Sequence, residues 1–312
     1  MTHLPDPIEA VLGLDVAQDS VTLYDLASRQ TLTVANSPEA LTAALLPFEK
    51  HQLAVCEATG GHEAVLLTVL RDLRIPAHRA DGGKINAFAR SLHLAKTDRL
   101  DARVLALYGR ERGHGLLRWS PPAEYQQKLT ALVRRRADLV AARKLERTRL
   151  KAPGAAALAA SLARMLAFLD GEIKDLETAT ADLIAATPDL AWRKQVLADI
   201  PGIGATVAAS LLALLPELGR LSRRQAASLA GVAPHPDQTG TTRSRGRTTG
   251  GRRTLRPLLF VAALTAVRGS NRFATFYKHL LAAGKTKRLA LVAVMRKIVV
   301  IANARLQNPT HN

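Results

Sequence analysis

The sequence has little of what several protein classes need. Its single cysteine, Cys56, excludes a disulfide framework and a zinc site built from cysteines. No run of about 18 apolar residues occurs, which excludes a membrane-spanning helix, and the first residues lack the basic start and apolar stretch of a signal peptide. Aromatic residues make up only 4% of the chain, which argues against base-stacking surfaces of the RRM or OB type. We therefore expect a cytoplasmic protein with no membrane partner.

Acidic residues are scarce in one part of the chain only. The 312 residues carry a net charge of +18, but residues 1–120 hold 13 basic and 14 acidic side chains. Residues 201–312 hold 18 basic side chains against two acids, Glu217 and Asp237. A segment this basic repels itself unless it meets a polyanion. The asymmetry therefore favours a nucleic-acid partner over a merely basic, soluble surface.

The first part of the chain predicts alternating strands and helices. Short strands at 9–17, 20–26 and 30–35 are separated by breaks short enough for hairpins. The elements expected after them are a helix over 37–50, a buried strand at Leu53–Cys56, a helix near 62–74, a strand at Ile75–Arg79, and helices near 83–93 and 98–112. This order is typical of a ribonuclease-H-like (RuvC-like) fold.

Long helices replace this pattern after Pro121 and Pro122. One of them has a heptad seam, apolar except at Thr180; its members are Leu162, Leu166, Leu169, Ile173, Leu176, Thr180 and Leu183. The helix before it, over about 124–151, carries many basic residues, among them Arg134, Arg135 and Arg136. So many positive charges favour contact with a phosphate backbone over a solvated face. The pair predicts an antiparallel hairpin or a dimerising coiled coil, and hence a homodimer or homotetramer.

Three regions follow from these patterns. We expect an α/β domain over 1–120, an antiparallel coiled coil over 121–195, and a small, basic, mainly helical domain over 196–312. The fold class is thus α/β plus all-α.

Four acidic residues stand where a metal site is expected in the first domain. Asp15 and Glu57 each end a predicted buried strand, while Asp98 and Asp101 are three residues apart and share one face of a helix. Singly, such acids also serve as turn formers, N-caps or first-turn charges. Brought together, four carboxylates repel one another unless hard cations lie between them, and Mg²⁺ takes such oxygen ligands. The set therefore predicts a Mg²⁺ site suited to phosphoryl transfer.

The third region begins with a glycine-containing turn at 199–208. Gly202 and Gly204 let a hairpin between two helices present backbone N–H groups, as a helix-hairpin-helix does towards a DNA phosphate. The alternatives are a plain helix connection and a dinucleotide fingerprint. The stretch before the turn looks helical, which disfavours the fingerprint because that motif follows a strand.

A loop rich in Thr, Gly and Arg follows at 234–253. Such loops let guanidinium groups approach phosphates bidentately, although a disordered surface loop has the same composition. The residues predicted to contact nucleic acid here are Arg243, Arg245, Arg247, Arg252 and Arg253.

These motifs together resemble the Piv/MooV-like DEDD transposases of insertion sequences, the family numbered one-ten. Members of that family have a RuvC-like domain carrying Asp, Glu, Asp and Asp, then a coiled coil, then a small transposase domain. The G-x-D start and the K-T-D-x-x-D-A element match, and the resemblance runs from about residue 10 to 306. The residues aligned with the acidic set are Asp15, Glu57, Asp98 and Asp101.

The resemblance implies a DNA recombinase that uses Mg²⁺ and a structured guide RNA pairing with donor and target DNA. Family members attack DNA with a serine that precedes a glycine; here Thr239 precedes Gly240. Threonine has the needed hydroxyl, but its β-branch crowds an in-line attack. Ser244 is a substitute with the wrong spacing. Two alternatives remain: a hydrolytic nuclease or junction resolvase, and a decayed, non-catalytic DNA- or RNA-binding relative.

Overall fold

A computed structural model describes residues 8–92, 98–235, 238–239, 242–243, 247–248, 250–252 and 254–307. The chain divides into two compact units, Met1–Pro121 and Pro122–Asn312, called here the N-terminal and C-terminal units. No helix in the described part of the chain is long and apolar enough to cross a membrane.

The N-terminal unit is built on one five-stranded sheet. Its strands are β1 (Val11–Val16), β2 (Ser20–Asp25), β3 (Thr31–Ala35), β4 (Leu53–Glu57) and β5 (Ala77–Ala80). The spatial order is β3-β2-β1-β4-β5; β1, β2 and β3 pair antiparallel, and β4 and β5 run parallel to β1. All five predicted strands are confirmed. The order is compatible with the predicted ribonuclease-H-like fold.

Helices cover both faces of this sheet. They are α1 (Pro38–Leu45), α2 (Glu63–Asp72), α3 (Gly82–Ser91) and α4 (Asp98–Arg112). Because side chains alternate along a strand, β1 sends Leu12 and Leu14 into the core under α1 and α2, and Val11 into the core under α4. Buried on both faces, β1 and β4 are therefore nearly continuous apolar runs.

The C-terminal unit begins with two long helices, α5 (Glu124–Arg149) and α6 (Ala159–Ala186). They lie antiparallel, because Arg136 pairs with Glu177 while Arg143, further along α5, pairs with Asp170, further back along α6. Every residue of the predicted seam on α6 is buried or half-buried. The helical hairpin is thus confirmed, whereas its supercoiling stays a prediction.

Six shorter helices complete this unit. They are α7 (Pro188–Ala198), α8 (Ala205–Leu214), α9 (Arg223–Leu229), α10 (Leu255–Ala266), α11 (Arg272–Ala282) and α12 (Lys287–Gln307). One hydrophobic core extends from Leu129 on α5 through Ile184 on α6 to Leu306 on α12. The base of the long hairpin therefore shares a core with the shorter helices. The division at 195/196 into two domains stays a prediction.

Candidate active site and nucleic-acid interface

Asp15 and Glu57 lie side by side at one edge of the sheet. In the parallel pairing of β1 with β4, Leu14 is opposite Cys56, so the next residues along the two strands are neighbours. Both acids are half-buried. Alternation along each strand places Asp15 on the face of Val11 and Gly13, and Glu57 on the face of Leu53 and Val55, which is the face covered by α4.

Helix α4 brings its first turn to the same edge. Gly109, late in α4, lies against Val11 and Val55, at 2.7 and 2.8 Å from the position a Cβ on this glycine would take. Ala102, early in α4, lies against Gly13. The helix therefore runs opposite to β1, and its N-terminus meets the strand ends. The first turn contains Asp98 and Asp101, the second of which is half-buried.

Glycine at position 13 makes this approach possible. A Cβ on Gly13 would overlap with the carbonyl oxygen of Ala102 and come within 2.6 Å of the backbone nitrogen of Ala106. The G-x-D motif thus has two components: the glycine admits α4 to the sheet, and Asp15 two residues later points to the same face.

The four acidic positions share an edge, but the described carboxylates do not form a ligand cluster. Among the residues whose side chains the structure describes, no three of His, Cys, Asp and Glu lie close enough to hold one metal ion. The side chain of Asp98, together with Lys96 and Thr97, lies outside the described residues. The donor set contains only carboxylate oxygens, which is the chemistry a hard divalent cation prefers.

The basic residues of α5 divide into exposed and paired ones. Arg134 and Arg135 are exposed. Arg136 is paired instead: its guanidinium donates to Glu177 on α6, with Nε 2.7 Å from Oε1. Arg143, another basic residue of this helix, is half-buried and likewise pairs with Asp170 on α6. Part of the positive charge of this helix therefore holds the hairpin together.

Gly202 and Gly204 differ in what surrounds them. Gly202 has φ +92°, and a Cβ there would overlap with the carbonyl oxygen of Ala262 on α10. Its glycine is thus required by packing and backbone conformation. Gly204 is the exposed N-cap of α8 in extended conformation, with open space where a Cβ would stand and no side-chain cap. The turn does join two helices, because α7 ends at Ala198, which argues against the dinucleotide fingerprint.

The predicted nucleophile loop is described in part. Gln238–Thr239 pairs antiparallel with Thr242–Arg243, and Pro234–His235 pairs with Arg247–Thr248. The side chains of Thr239, Arg243 and Arg247 lie outside the described residues, as do Ser244, Arg245 and Arg253 entirely.

Arg252 has an internal role. Its guanidinium forms a two-bond pair with the Glu217 carboxylate, at 2.6 and 2.7 Å, and donates to the carbonyl oxygen of Leu214 at 2.6 Å. Burial acts to raise the pKa of Glu217, but the hydrogen bond and charge of Arg252 outweigh it and leave this pKa below its usual value. Arg252 thus joins the end of the loop to the helical core.

Comparison with known proteins matches both units to transposases. Residues 12–153 match a family model described as a DEDD transposase of IS110 type, and residues 194–278 match a second model described as the transposase IS116/IS110/IS902 family. The chain belongs to the IS110 family of transposases. Membership identifies a DNA-binding enzyme that cleaves and rejoins DNA in transposition, and the DEDD domain suggests divalent-metal dependence.

Individual relatives agree with the family models. The pilin gene-inverting proteins of Moraxella lacunata and Moraxella bovis are each 29% identical over 306 residues, which is 94% of this chain and 94% of each relative. An uncharacterized 43.6 kDa protein of insertion element IS110 from Streptomyces coelicolor is 27% identical over 266 residues, covering 79% of this chain and 63% of that protein.

The DEDD edge of this transposase has a supporting acid that the sequence analysis did not single out. Glu63, with a side chain only 3% exposed, accepts hydrogen bonds from the backbone N–H groups of Thr59 and Gly61 at 3.0 and 2.9 Å. It also pairs with Arg79 on β5, with Nε 2.7 Å from Oε1. These bonds hold the loop that follows Glu57. The signal in the sequence is an acid that follows the glycines Gly60 and Gly61 shortly after a predicted strand.

The pKa of Glu63 reflects these contacts. Burial alone would raise it, but backbone hydrogen bonds and the Arg79 guanidinium bring the pKa below its ordinary value. The neighbouring thiol behaves in the opposite way: burial and the Glu63 charge raise the pKa of Cys56 to about 12. Cys56 is therefore an unreactive core residue, as its position in an apolar strand indicates.

Gly82 shapes the other side of Glu57. It is the first residue of α3, after the N-cap Asp81, and a Cβ there would overlap with Oε1 of Glu57. Only glycine leaves the Glu57 carboxylate its present place beside the start of α3. The signal for this position is the dipeptide Gly82-Gly83, three residues after the end of a predicted strand.

Proposed function

We propose that this IS110-family transposase cuts and rejoins DNA through a covalent bond to a loop hydroxyl of the C-terminal unit, with the aid of Mg²⁺ bound by carboxylates of the N-terminal unit. The observation that supports it best is the convergence of Asp15, Glu57 and the first turn of α4 on one sheet edge. Carboxylates gathered at one edge can hold a divalent cation against a phosphodiester, which is suited to metal-assisted phosphoryl transfer.

Asp15, Glu57, Asp98 and Asp101 would hold the metal. When bound, Mg²⁺ supplies charge that polarises the scissile phosphate and stabilises the leaving oxygen. Glu63 and Gly82 keep the Glu57 carboxylate and its following loop in position. The close approach of α4 at Gly13 keeps Asp101 at the strand ends.

Thr239 is the proposed nucleophile. Its hydroxyl oxygen attacks phosphorus and loses its proton, while the bond to the 3′ oxygen breaks and that oxygen takes up a proton. The free 3′-hydroxyl of an exchanged strand then attacks the phosphothreonine bond and restores the threonine. The energy of the phosphodiester is conserved throughout, so no ATP is required.

Nucleic acid is held by the basic C-terminal unit in this proposal. The exposed Arg134 and Arg135 and the open N-terminus of α8 at Gly204 provide contacts to phosphates. The loop arginines Arg243, Arg245, Arg247 and Arg253 supply further contacts. A structured guide RNA selects donor and target DNA, and the protein acts in the bacterial cytoplasm at the nucleoid.

Self-association completes the proposed function. The start of α6 and the residue just before it leave three large apolar side chains exposed, namely Leu158, Met165 and Phe168, at 60, 47 and 61%. A second copy of the hairpin covers such a stripe in a homodimer or homotetramer. Sedimentation of the Phe168→Glu variant should show a smaller assembly than the wild-type chain.

The decisive experiment traps the covalent intermediate. The full-length protein is mixed with Mg²⁺, RNA copurified from its host, and labelled DNA spanning the element junction, and the products are run on a denaturing gel. We expect a labelled protein–DNA adduct that survives SDS and is absent from Thr239→Ala.

The other outcomes identify the alternatives. Cleaved DNA without an adduct means attack by water, as in a nuclease or junction resolvase. An adduct that forms only in Thr239→Ser means that this copy keeps the fold and has lost the chemistry. Neither cleavage nor an adduct in any variant means a DNA- or RNA-binding relative without activity.

A further inference from the structure

The N-terminal unit contains a groove lined by three arginines, away from the carboxylate edge. Its volume is about 450 Å³. The lining residues are Tyr24, Leu26, Arg29, Arg103, Leu107 and Arg110.

Two elements build this groove. Arg103, Leu107 and Arg110 are spaced four and three residues apart on α4, so they share one face of the helix. Arg29 lies across from them in the turn between β2 and β3, where its backbone has φ +60° and its N–H donates to the carbonyl oxygen of Asp25. An arginine rarely takes a left-handed conformation, and this turn directs its side chain to the groove.

The positive charge of the groove is largely uncompensated. In the described part of the chain, Arg29 and Arg103 have no carboxylate within 4.0 Å, and Arg110 reaches Glu111 only at 4.0 Å. The nearby Asp25 is occupied by the backbone N–H groups of Ala27 and Ser28 and by His51. Three cations therefore face one cavity in a region where acids slightly outnumber bases.

We propose that this groove binds the phosphodiester backbone of a nucleic acid. Guanidinium forks suit phosphate oxygens bidentately. Arg103 and Arg110 are about 10 Å apart along the helix axis, which allows contact with more than one phosphate. Arg103 follows Asp101 by two residues, so a strand held here leads along α4 towards the carboxylate edge. The inference rests on the proposed function only in its choice of nucleic acid as the polyanion.

The test measures equilibrium binding by the full-length chain. All proteins carry Asp15→Asn and are kept without divalent metal, so the readout does not require the covalent chemistry to be correct. Fluorescence anisotropy is followed between about 50 and 300 mM salt with two probes, duplex DNA of the element end and the structured RNA copurified from the host. The variants are Arg29→Gln and the double change Arg103→Gln/Arg110→Gln.

The matched control is Arg71→Gln. Arg71 lies on α2, which packs on the other face of the sheet, and its side chain is 48% exposed. All the changed residues are at least partly exposed, so we expect unchanged melting temperatures. Arg103→Lys tests geometry, because it keeps the charge and loses the fork.

The proposal predicts about tenfold weaker binding by the double variant and a salt slope smaller by about two for duplex DNA. Arg103→Lys should keep the slope and lose part of the affinity. If the double variant loses affinity only for the DNA probe, the groove binds DNA; if it loses affinity only for the RNA probe, the groove binds the RNA. A double variant that binds both probes like Arg71→Gln overturns the proposal. So does competition by inorganic phosphate with an unchanged slope, which means a small-anion site.

Discussion

The two units use charge in opposite ways. In the N-terminal unit, the four acids of the proposed metal site lie at the ends of two strands and at the start of a helix, where the pairing and packing of the backbone place them. In the C-terminal unit, basic residues lie along helices and a loop. Several of them form intramolecular salt bridges, such as Arg136–Glu177 and Arg252–Glu217. The positions of the proposed carboxylate site therefore follow from the topology of the sheet, whereas the role of each basic residue depends on its own contacts.

The largest expected effect is the loss of DNA cleavage, without loss of DNA binding, when an acid of the proposed metal site is changed. Asp15→Asn should lower strand cleavage at least about a thousandfold, because a lost metal ligand costs several kcal/mol of transition-state stabilisation, while DNA affinity stays within about twofold. Cleavage and binding assays on the same preparation check this. The control is Asp19→Asn, an exposed acid in the turn after β1. Equal activity of the two variants would remove Asp15 from the active site.

The glycine pair tests whether the hairpin in the C-terminal unit is structural or presents its backbone to DNA. Gly202→Ala should destabilise the protein by about 2–4 kcal/mol, because the new Cβ meets the Ala262 carbonyl at a positive φ. Gly204→Ala should change stability by less than about 0.5 kcal/mol, since its Cβ position is open. Urea denaturation measures both. If Gly204→Ala weakens DNA binding at full stability, the open N-terminus of α8 is a phosphate contact.

A third prediction compares one acid from each unit. Glu63→Gln should lower the free energy of unfolding by about 2 kcal/mol. The change removes the ion pair with Arg79 and weakens the hydrogen bonds from the Thr59 and Gly61 amides to a buried side chain. Glu217→Gln should cost about 1 kcal/mol, because both members of its pair are over a third exposed and are screened by solvent. Salt should reduce the second cost and leave the first nearly unchanged.

These acids also determine the pH dependence. The folded pKa of Glu63 is lowered, so its contribution to stability is complete above the unfolded value of about 4.3 and is lost as pH falls through the folded pKa. Melting temperatures of wild type and Glu63→Gln should therefore converge in acid and separate above about pH 5. A constant difference across this range would contradict the assignment.

A further prediction concerns the one polar residue of the α6 seam. Thr180 is buried, and its Oγ1 has no hydrogen-bond partner among the described residues. Thr180→Val removes that unpaired hydroxyl at nearly constant shape, so we expect about 0.5–1 kcal/mol of added stability. Leu176→Ala, one turn earlier and half-buried, is the comparison that should lose stability. A destabilised Thr180→Val would mean that the hydroxyl is satisfied by water.

Prediction from the sequence succeeded where the pattern is local. The five strands of the sheet and the seam of α6 were recognisable, because each depends on neighbours a few residues away. It failed to find Glu63–Arg79 and the internal role of Arg252, whose partners are 16 and 35 residues distant. Composition alone does not distinguish an arginine that contacts DNA from one that forms a salt bridge within the protein.

Motif spacing and hydrophobic periodicity are enough to identify the family, to predict the order of strands and helices, and to single out the four acidic positions. Which of these acidic positions lie close together depends on the tertiary structure. The antiparallel direction of α4 against β1, made possible at Gly13 and Gly109, brings the helix start to Asp15 and Glu57. The same packing turns Arg103 and Arg110 towards Arg29. Both outcomes depend on how closely two backbones approach, which no local sequence pattern specifies.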